Sequence, residues 1–442
     1  MPRSRTHAVL LGDGRVLVVG NEAYEVTDDS VNAELWDPAT ESWQLTMSLN
    51  KPRGDFAAVP LADGRALVTG GFNQVNQSFS STYLYDPQRV AGGSAKGWSA
   101  SGLLDKARTA PAAAVLSDGR VLVAGGYFRV EPNYGAGTID AVLAAYRPGA
   151  VSRTTIFDGP LADIDAPPIG AAMATAELFD PATGKWSDTG PLRYARFGAA
   201  AVTLADGRIL VVGSAPGESG VTLDAAAYHT AELYDPAAGR FSLTGSLPDI
   251  DRTLLEEQRG PSTNVVPEED PVIDDVGTLV ALGDGGAVLI AHSGWWKHVG
   301  EITRSFRYDA RTGSWAEIGQ TYVFVGEPDP VPLVTEGVRR LTGAMVARLP
   351  DGRIVVAGGA GSFVADDSPS PDQVEGTSAT AEVYDATTNT WSPLPPMPEP
   401  RAGGAIVTLP DGSILFVGGY RDAASLEGLD RVVLASAIRF VP

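Results

Sequence analysis

Residues 112–127, AAAVLSDGRVLVAGGY, decide how the rest of the chain is read. A run of small apolar residues meets Asp118-Gly119, and a second run of aliphatic residues carries on to Gly125-Gly126. Asp-Gly between two apolar runs is a strong local signal for a β-hairpin, and in its two-residue form both central residues need positive φ. The same unit returns as AAAVTLADGRILVVGS (199–214) and GAIVTLPDGSILFVGGY (404–420). The pair falls at Asp13, Asp63, Asp118, Asp206, Asp284, Asp351 and Asp411, which sets seven units beginning near residues 6, 54, 109, 197, 277, 341 and 402. Repetition over nearly the whole length predicts one domain over 1–442 rather than several.

The second half of the unit is equally regular. AELWDPATESW (33–43), AELFDPATGKW (176–186), AELYDPAAGRF (231–241) and AEVYDATTNTW (381–391) each give a strand, a turn and an aromatic that opens the next strand. Each unit is therefore four strands, a to d, joined as a meander. Trp43, Trp98, Trp186, Trp315 and Trp391 open strand d, with Phe241 substituting once. A single four-stranded sheet cannot bury such faces alone, so neighbouring sheets must stack. Strand a is rich in Ala and Gly, as suits strands crowded near an axis. Seven such sheets around one axis make an all-β, seven-bladed propeller of four-stranded antiparallel blades.

The double glycine ending strand b, the strand-c Tyr, the strand-d Trp and the Arg after strand d resemble the Kelch repeat. The chain is similar to bacterial Kelch proteins and to the central propeller of galactose oxidase. The resemblance implies the propeller fold; function does not follow from it, since one fold hosts unrelated activities. Copper-radical oxidation is not expected, because that chemistry needs a Tyr crosslinked to Cys and the chain has no Cys. The further domain that supplies a copper-binding His in galactose oxidase is also absent from this sequence.

Composition narrows the partners. The chain has 442 residues, 54 acidic against 33 basic, for a net charge of −21. Such a surface repels phosphate backbones and anionic lipid, so no nucleic-acid or membrane partner is expected. No apolar run approaches the ~18 residues of a membrane span. No secretory leader is read at the start, and the absence of Cys fits either the cytoplasm or a secreted protein trimmed of its leader. A monomer is expected, binding a protein segment, a small molecule or a glycan.

Closure is irregular. The seventh unit supplies strands a, b and, over Ala435 to Pro442, strand c, while the opening MPRSR resembles the linker MPEPR at 397–401. Either the last blade has three strands, or its strand d precedes residue 1.

In a meander the a–b and c–d turns share one end of the blade, and the b–c and d–a loops share the other. Insertions accumulate on the second face, at 128–173, 215–229, 253–276, 319–338 and 360–378, and a ligand site belongs there. Arg53, Arg108, Arg196, Arg252 and Arg401 close strand d, with Arg340 before strand a of unit 6 and Arg3 or Arg5 before unit 1. Symmetry makes them a ring that either holds an anionic ligand or bridges neighbouring loops. In unit 5, His292-Ser293 replaces Gly-Gly, followed by Trp295, Trp296 and His298. The Trp pair either stacks on a sugar or apolar ligand or packs under the 253–276 insertion. His292 and His298 are the candidate acid–base residues of the alternative reading, a cofactor-independent lyase, hydrolase or isomerase with Arg as anion clamp. No cofactor is expected. Calcium is the one metal for which clustered oxygens are present, at 163–165, 268–270, 274–275 and 327–330; the other reading is solvated loop charge. His7 and His229 are read as structural.

Overall fold

A computed structural model describes residues 6–20, 33–46, 49, 53–72, 78–91, 97–128, 172–213, 226–248, 272–295, 299–318, 343–364, 373–425 and 428–441. Seven of its sheets are the blades. Blade 1 comprises His7–Leu10, Val16–Val19, Glu34–Asp37 and Ser42–Leu45, and blade 2 Ala57–Pro60, Ala66–Thr69, Thr82–Tyr85 and Trp98–Ala100. Blade 3 is Ala112–Val115, Val121–Ala124, Ala176–Asp180 and Lys185–Thr189; blade 4 is Ala200–Thr203, Ile209–Val212, Ala231–Asp235 and Arg240–Leu243. Blade 5 is Val272–Ala281, Ala287–Trp295, Val299–Asp309 and Ser314–Glu317, and blade 6 Met345–Arg348, Ile354–Ala357, Ala381–Asp385 and Thr390–Leu394. Blade 7 has three strands, Ala405–Thr408, Ile414–Val417 and Ala437–Phe440. Helix is confined, among the described residues, to two single turns, Gln88–Ala91 and Ala226–His229.

Strand a of each blade packs on strand a of the next, and that of blade 7 returns to blade 1, which closes the ring. Among the described side chains strand b is fully buried, because its two faces meet different neighbours. Val121 and Val123 pack with Leu61, Leu67 and Leu84 of blade 2, whereas Leu122 and Ala124 join Ile209, Val211 and Tyr234 of blade 4. The strand-d aromatic lies on the strand-c aromatic of its own blade, with centroids 4.9 to 5.1 Å apart in five blades.

The a–b turn differs from the two-residue form expected. None of the seven turn Asp residues has positive φ, whereas Gly14, Gly64, Gly119, Gly207, Gly285, Gly352 and Gly412 all do. Leu11 N–H donates to Arg15 C=O and Gly14 N–H to Leu11 C=O, so the loop is three residues, a type I turn closed by a left-handed glycine. The Asp carboxylate explains the choice: Asp13 accepts the Arg15 backbone N–H at 3.1 Å, which holds the turn without positive φ at Asp.

Blade 5 also departs from expectation. Its strand a begins at Val272 rather than near 277, and strand b does not stop at Ala291 but continues through His292 to Trp295. Irregular register at Ile273/Asp275 and Asp275/Thr278, with Gly277 at φ 63°, lets strand a follow the extension. Blades 6 and 7 instead carry separate hairpins on their b–c connections, Ala360–Val364 with Gln373–Thr377 and Tyr420–Ser425 with Gly428–Val433. The second of these was not foreseen, although its Leu-Glu-Gly-Leu centre, 426–429, carries a turn former between strand formers.

Candidate functional site at the b–c face

The arginine positions are built from the double glycine outward. Gly126 sits at φ 92°, and a Cβ there would stand 2.8 Å from Thr109 O; a Cβ on Gly125 would stand 2.4 Å from Arg196 O. That space admits the neighbouring chain segment, and Gly126 N–H donates to Arg196 C=O at 2.7 Å. Gly71 binds Arg108 C=O and Gly359 binds Arg401 C=O in the same way. While the carbonyl is held by the preceding blade, the guanidinium turns into the following one. Arg108 donates to Gly125 O, Thr175 O and the Glu177 carboxylate, the last at 2.6 Å. Arg196 donates to Gly213 O, Ala227 O, Thr230 O and Oγ1, and Glu232. Each arginine therefore staples two blades.

Where strand c lacks the glutamate, the partner changes with it. In blade 2 that position is Tyr83, and Arg53 stacks over Tyr83 and Phe79 at 5.0 and 4.6 Å while donating to Gly70 O and Ser81 Oγ. In blade 7 it is Ile438, and Glu399, two residues before Arg401, supplies the carboxylate at 2.7 Å. Arg108, Arg196 and Arg401 are completely buried and Arg53 nearly so. Burial draws the Arg108 and Arg196 guanidiniums below their ordinary pKa, and Glu177 and Glu232 oppose the shift. Both glutamates are fixed in turn, Glu177 by Asp105 N–H at 2.7 Å and Glu232 by Arg193 N–H at 2.7 Å. These four arginines are thus held by the framework of the repeat. The glutamate partners were not singled out from sequence, though the recurrent Ala-Glu opening of strand c carried the signal. A further buried arginine was also missed: Arg304 of blade 5 forms a two-point pair with Glu317 on strand d, at 2.8 and 2.5 Å.

Of the remaining candidates, Arg252, Arg340, Trp296 and His298 lie outside the described residues, and His292 and Trp295 are placed by backbone alone, on the strand-b extension of blade 5. The acidic segments 163–165, 268–270 and 327–330 lie outside as well, and 274–275 is placed only as strand. Among the described residues, no three His, Asp or Glu side chains gather as a metal site requires, and no helix is long and apolar enough to cross a membrane. The extension of blade 5 and the hairpins of blades 6 and 7 rise from adjacent blades on the same face. The latter two touch, with Asp422 N–H donating to Thr377 Oγ1 at 3.2 Å. A groove of about 310 Å³ lined by Leu104, Asp105, Glu177 and Trp186 lies away from them, beside strands c and d of blade 3, and its Glu177 is already taken by Arg108.

A ring of seven Asp-Gly hairpins, with double glycines in four blades, an aromatic on every strand c and a strand-d tryptophan in five blades, is a Kelch-type seven-bladed β-propeller. The Kelch motif matches residues 346–398, which is blade 6 from strand a through strand d. No curated protein matches the chain. A solved structure described as "Structure of YjhT" is similar over 98% of this chain and 98% of its own, at 13% identity and a TM-score of 0.46.

Proposed function

We propose that the chain is a binding module that seats a peptide or a glycan on its b–c face, over blades 5 to 7. The observation that carries this reading is the unequal treatment of the two ends. One end closes every blade with a three-residue turn, whereas the other raises β-structure from three consecutive blades. Kelch propellers commonly serve as interaction modules, which supports the class. Trp295 and Trp296 are the residues in that stretch of sequence whose flat apolar rings would suit a sugar ring or a peptide side chain. An anionic ligand would rely on Arg252 and Arg340, since Arg53, Arg108, Arg196 and Arg401 are occupied by their own blades.

The test is a screen of the whole chain on immobilised glycans and peptides, repeated with a variant in which Tyr420 is joined to Val433 through Asn-Gly. Retention of a probe by the wild type, lost in the variant at an unchanged melting temperature, is the expected result. Retention that survives hairpin removal and Trp295→Ala together would place the site elsewhere and overturn the reading.

A further inference from the structure

Blade 3 breaks a rule of charge that the other four-stranded blades keep. Glu177 of strand c and Asp188 of strand d stand directly opposite each other. Like charges in such a cross-strand pair destabilise a sheet. In blades 1, 4 and 6 the strand-c glutamate faces Leu45, Leu243 and Pro393 instead. A third acid joins the pair from the linker entering the blade. Asp105 N–H donates to Glu177 at 2.7 Å, and the same place in blade 4 belongs to a basic residue, Arg193, bonded to Glu232. The buried Arg108 answers Glu177 alone, at 2.6 Å. Among the described residues the Asp105 and Asp188 carboxylates form no hydrogen bond or ion pair, and Asp188 is exposed. One guanidinium for three carboxylates leaves this corner negative.

Both free carboxylates line the groove of about 310 Å³ at the outer rim of the seam between blades 2 and 3. The linker contributes Leu103, Leu104 and Asp105 to it, and strand d contributes Trp186 and Asp188. Trp186 is held by its Nε1–H bond to Thr82 Oγ1 at 3.1 Å and by packing with Leu104 and Phe179, and it is only partly buried. Blade 5 shows what such an arrangement takes. Its Glu317 follows Trp315 by two residues, as Asp188 follows Trp186, and it holds the Arg304 guanidinium in a two-point pair. That guanidinium lies over the Phe306 ring, 5.1 Å from its centroid. Blade 3 has the carboxylates and the aromatic, but Thr175 stands where blade 5 has its arginine.

We propose that the groove seats one arginine side chain of a partner polypeptide, its guanidinium shared by Asp105 and Asp188 and its stem laid on Trp186 and Leu103. Among the described residues no three acids converge as a metal ion requires, which favours a flat organic cation. The net charge of −21 draws a basic segment toward the rim, while the aromatic wall and the two carboxylates select the side chain that enters. No residue of the groove belongs to blades 5 to 7, so this site and the ligand site of the b–c face stand or fall separately.

The probe is the capped peptide Gly-Ser-Arg-Ser-Gly, followed by saturation-transfer NMR with the whole chain. Saturable binding is expected. It should weaken about fivefold or more when citrulline replaces the arginine, and equally in the joint variant Asp105→Asn, Asp188→Asn; lysine in place of arginine should cost less. Because Asp188 opposes Glu177, Asp188→Asn should melt at or above the wild-type temperature, which keeps the variant folded for the measurement. Asp206→Asn, on an a–b turn, controls for attraction to overall charge and should leave binding unchanged. Binding that survives the joint variant, ignores citrulline or falls as far in Asp206→Asn would overturn the proposal, as would no binding at all. A lower melting temperature in Asp188→Asn would make that carboxylate part of the framework and overturn it too. Displacement of the peptide by Ca²⁺ that itself needs both carboxylates would give the groove to a metal instead.

Discussion

Both ends of this propeller are fastened by arginine–carboxylate pairs, but the pairs live in different surroundings. At the b–c end Arg196 and Glu232 are both fully buried. At the turn end Arg208 and Asp206 keep about a third or more of their side chains in water, at 35% and 44%. The turn arginines still link blades, since Arg15, Arg65 and Arg208 reach Pro87 O, Pro181 O and Ala310 O in the next blade. In water such a link is replaceable, because solvent can take either partner. In the buried staple water cannot replace the guanidinium, so its loss leaves a buried carboxylate without its cation and carbonyls without a donor. The same chemistry is thus structural cement at one end and a light clasp at the other.

The comparison breaks first at the buried end. Arg196→Ala should cost about 3–5 kcal/mol in chemical denaturation, because Glu232 loses its cationic partner and the Gly213 and Ala227 carbonyls lose the guanidinium that donates to them. A loss under 1 kcal/mol would put the two ends on the same footing. Next is Gly126→Ala, expected to cost about 1–3 kcal/mol from the contact with Thr109 O and the left-handed backbone. Arg208→Ala should cost about 1 kcal/mol or less and lose even that in high salt.

The smallest effect is in pH. Hydrogen bonds from Ser413, with Arg439 adding to them, hold the Asp411 carboxyl down to about 2, and the Arg120 side chain holds Asp118 below its usual range. A carboxyl depressed in the folded state stabilises above its unfolded pKa near 3.9, and that contribution fades as pH falls through its folded value. The melting temperature should therefore fall between about pH 4 and pH 2, with a shallower fall in Asp411→Asn. An unchanged slope would mean that the turn carboxylates are not linked to folding.

These differences were unevenly legible in the sequence. The hairpins and c–d turns are local, so Asp-Gly and Asp-Pro-Ala-Thr-Gly revealed them with no knowledge of the ring. The staples join residues as distant as Arg108 and Glu177, and spacing alone left the arginines divided between anion binding and bridging. The turn type was misjudged because the Asp carboxylate accepts the backbone N–H two residues on, where positive φ was expected at both residues. Blade 5 was hidden by its own exception, since His292-Ser293 ended the repeat pattern but not the strand. Clasp positions also moved unseen. Where the a–b turn offers Gly286 or Ser413 in place of Arg, Arg307 or Arg439 on strand c bonds the turn Asp284 or Asp411 and reaches the next blade.

The three-stranded last blade has a mechanical consequence. Among the described residues no strand crosses from blade 7 to blade 1, so over residues 6–441 the ring is a split washer rather than a hoop. What holds the split is side-chain packing of Val16, Val18 and Trp36 on Leu415 and Val417, with the Arg439–Glu41 bridge at its rim. Tension applied between Thr6 and Val441 is borne first by that seam. Opening it would let blades peel away in order from either end, so the seam sets the force at which the molecule gives.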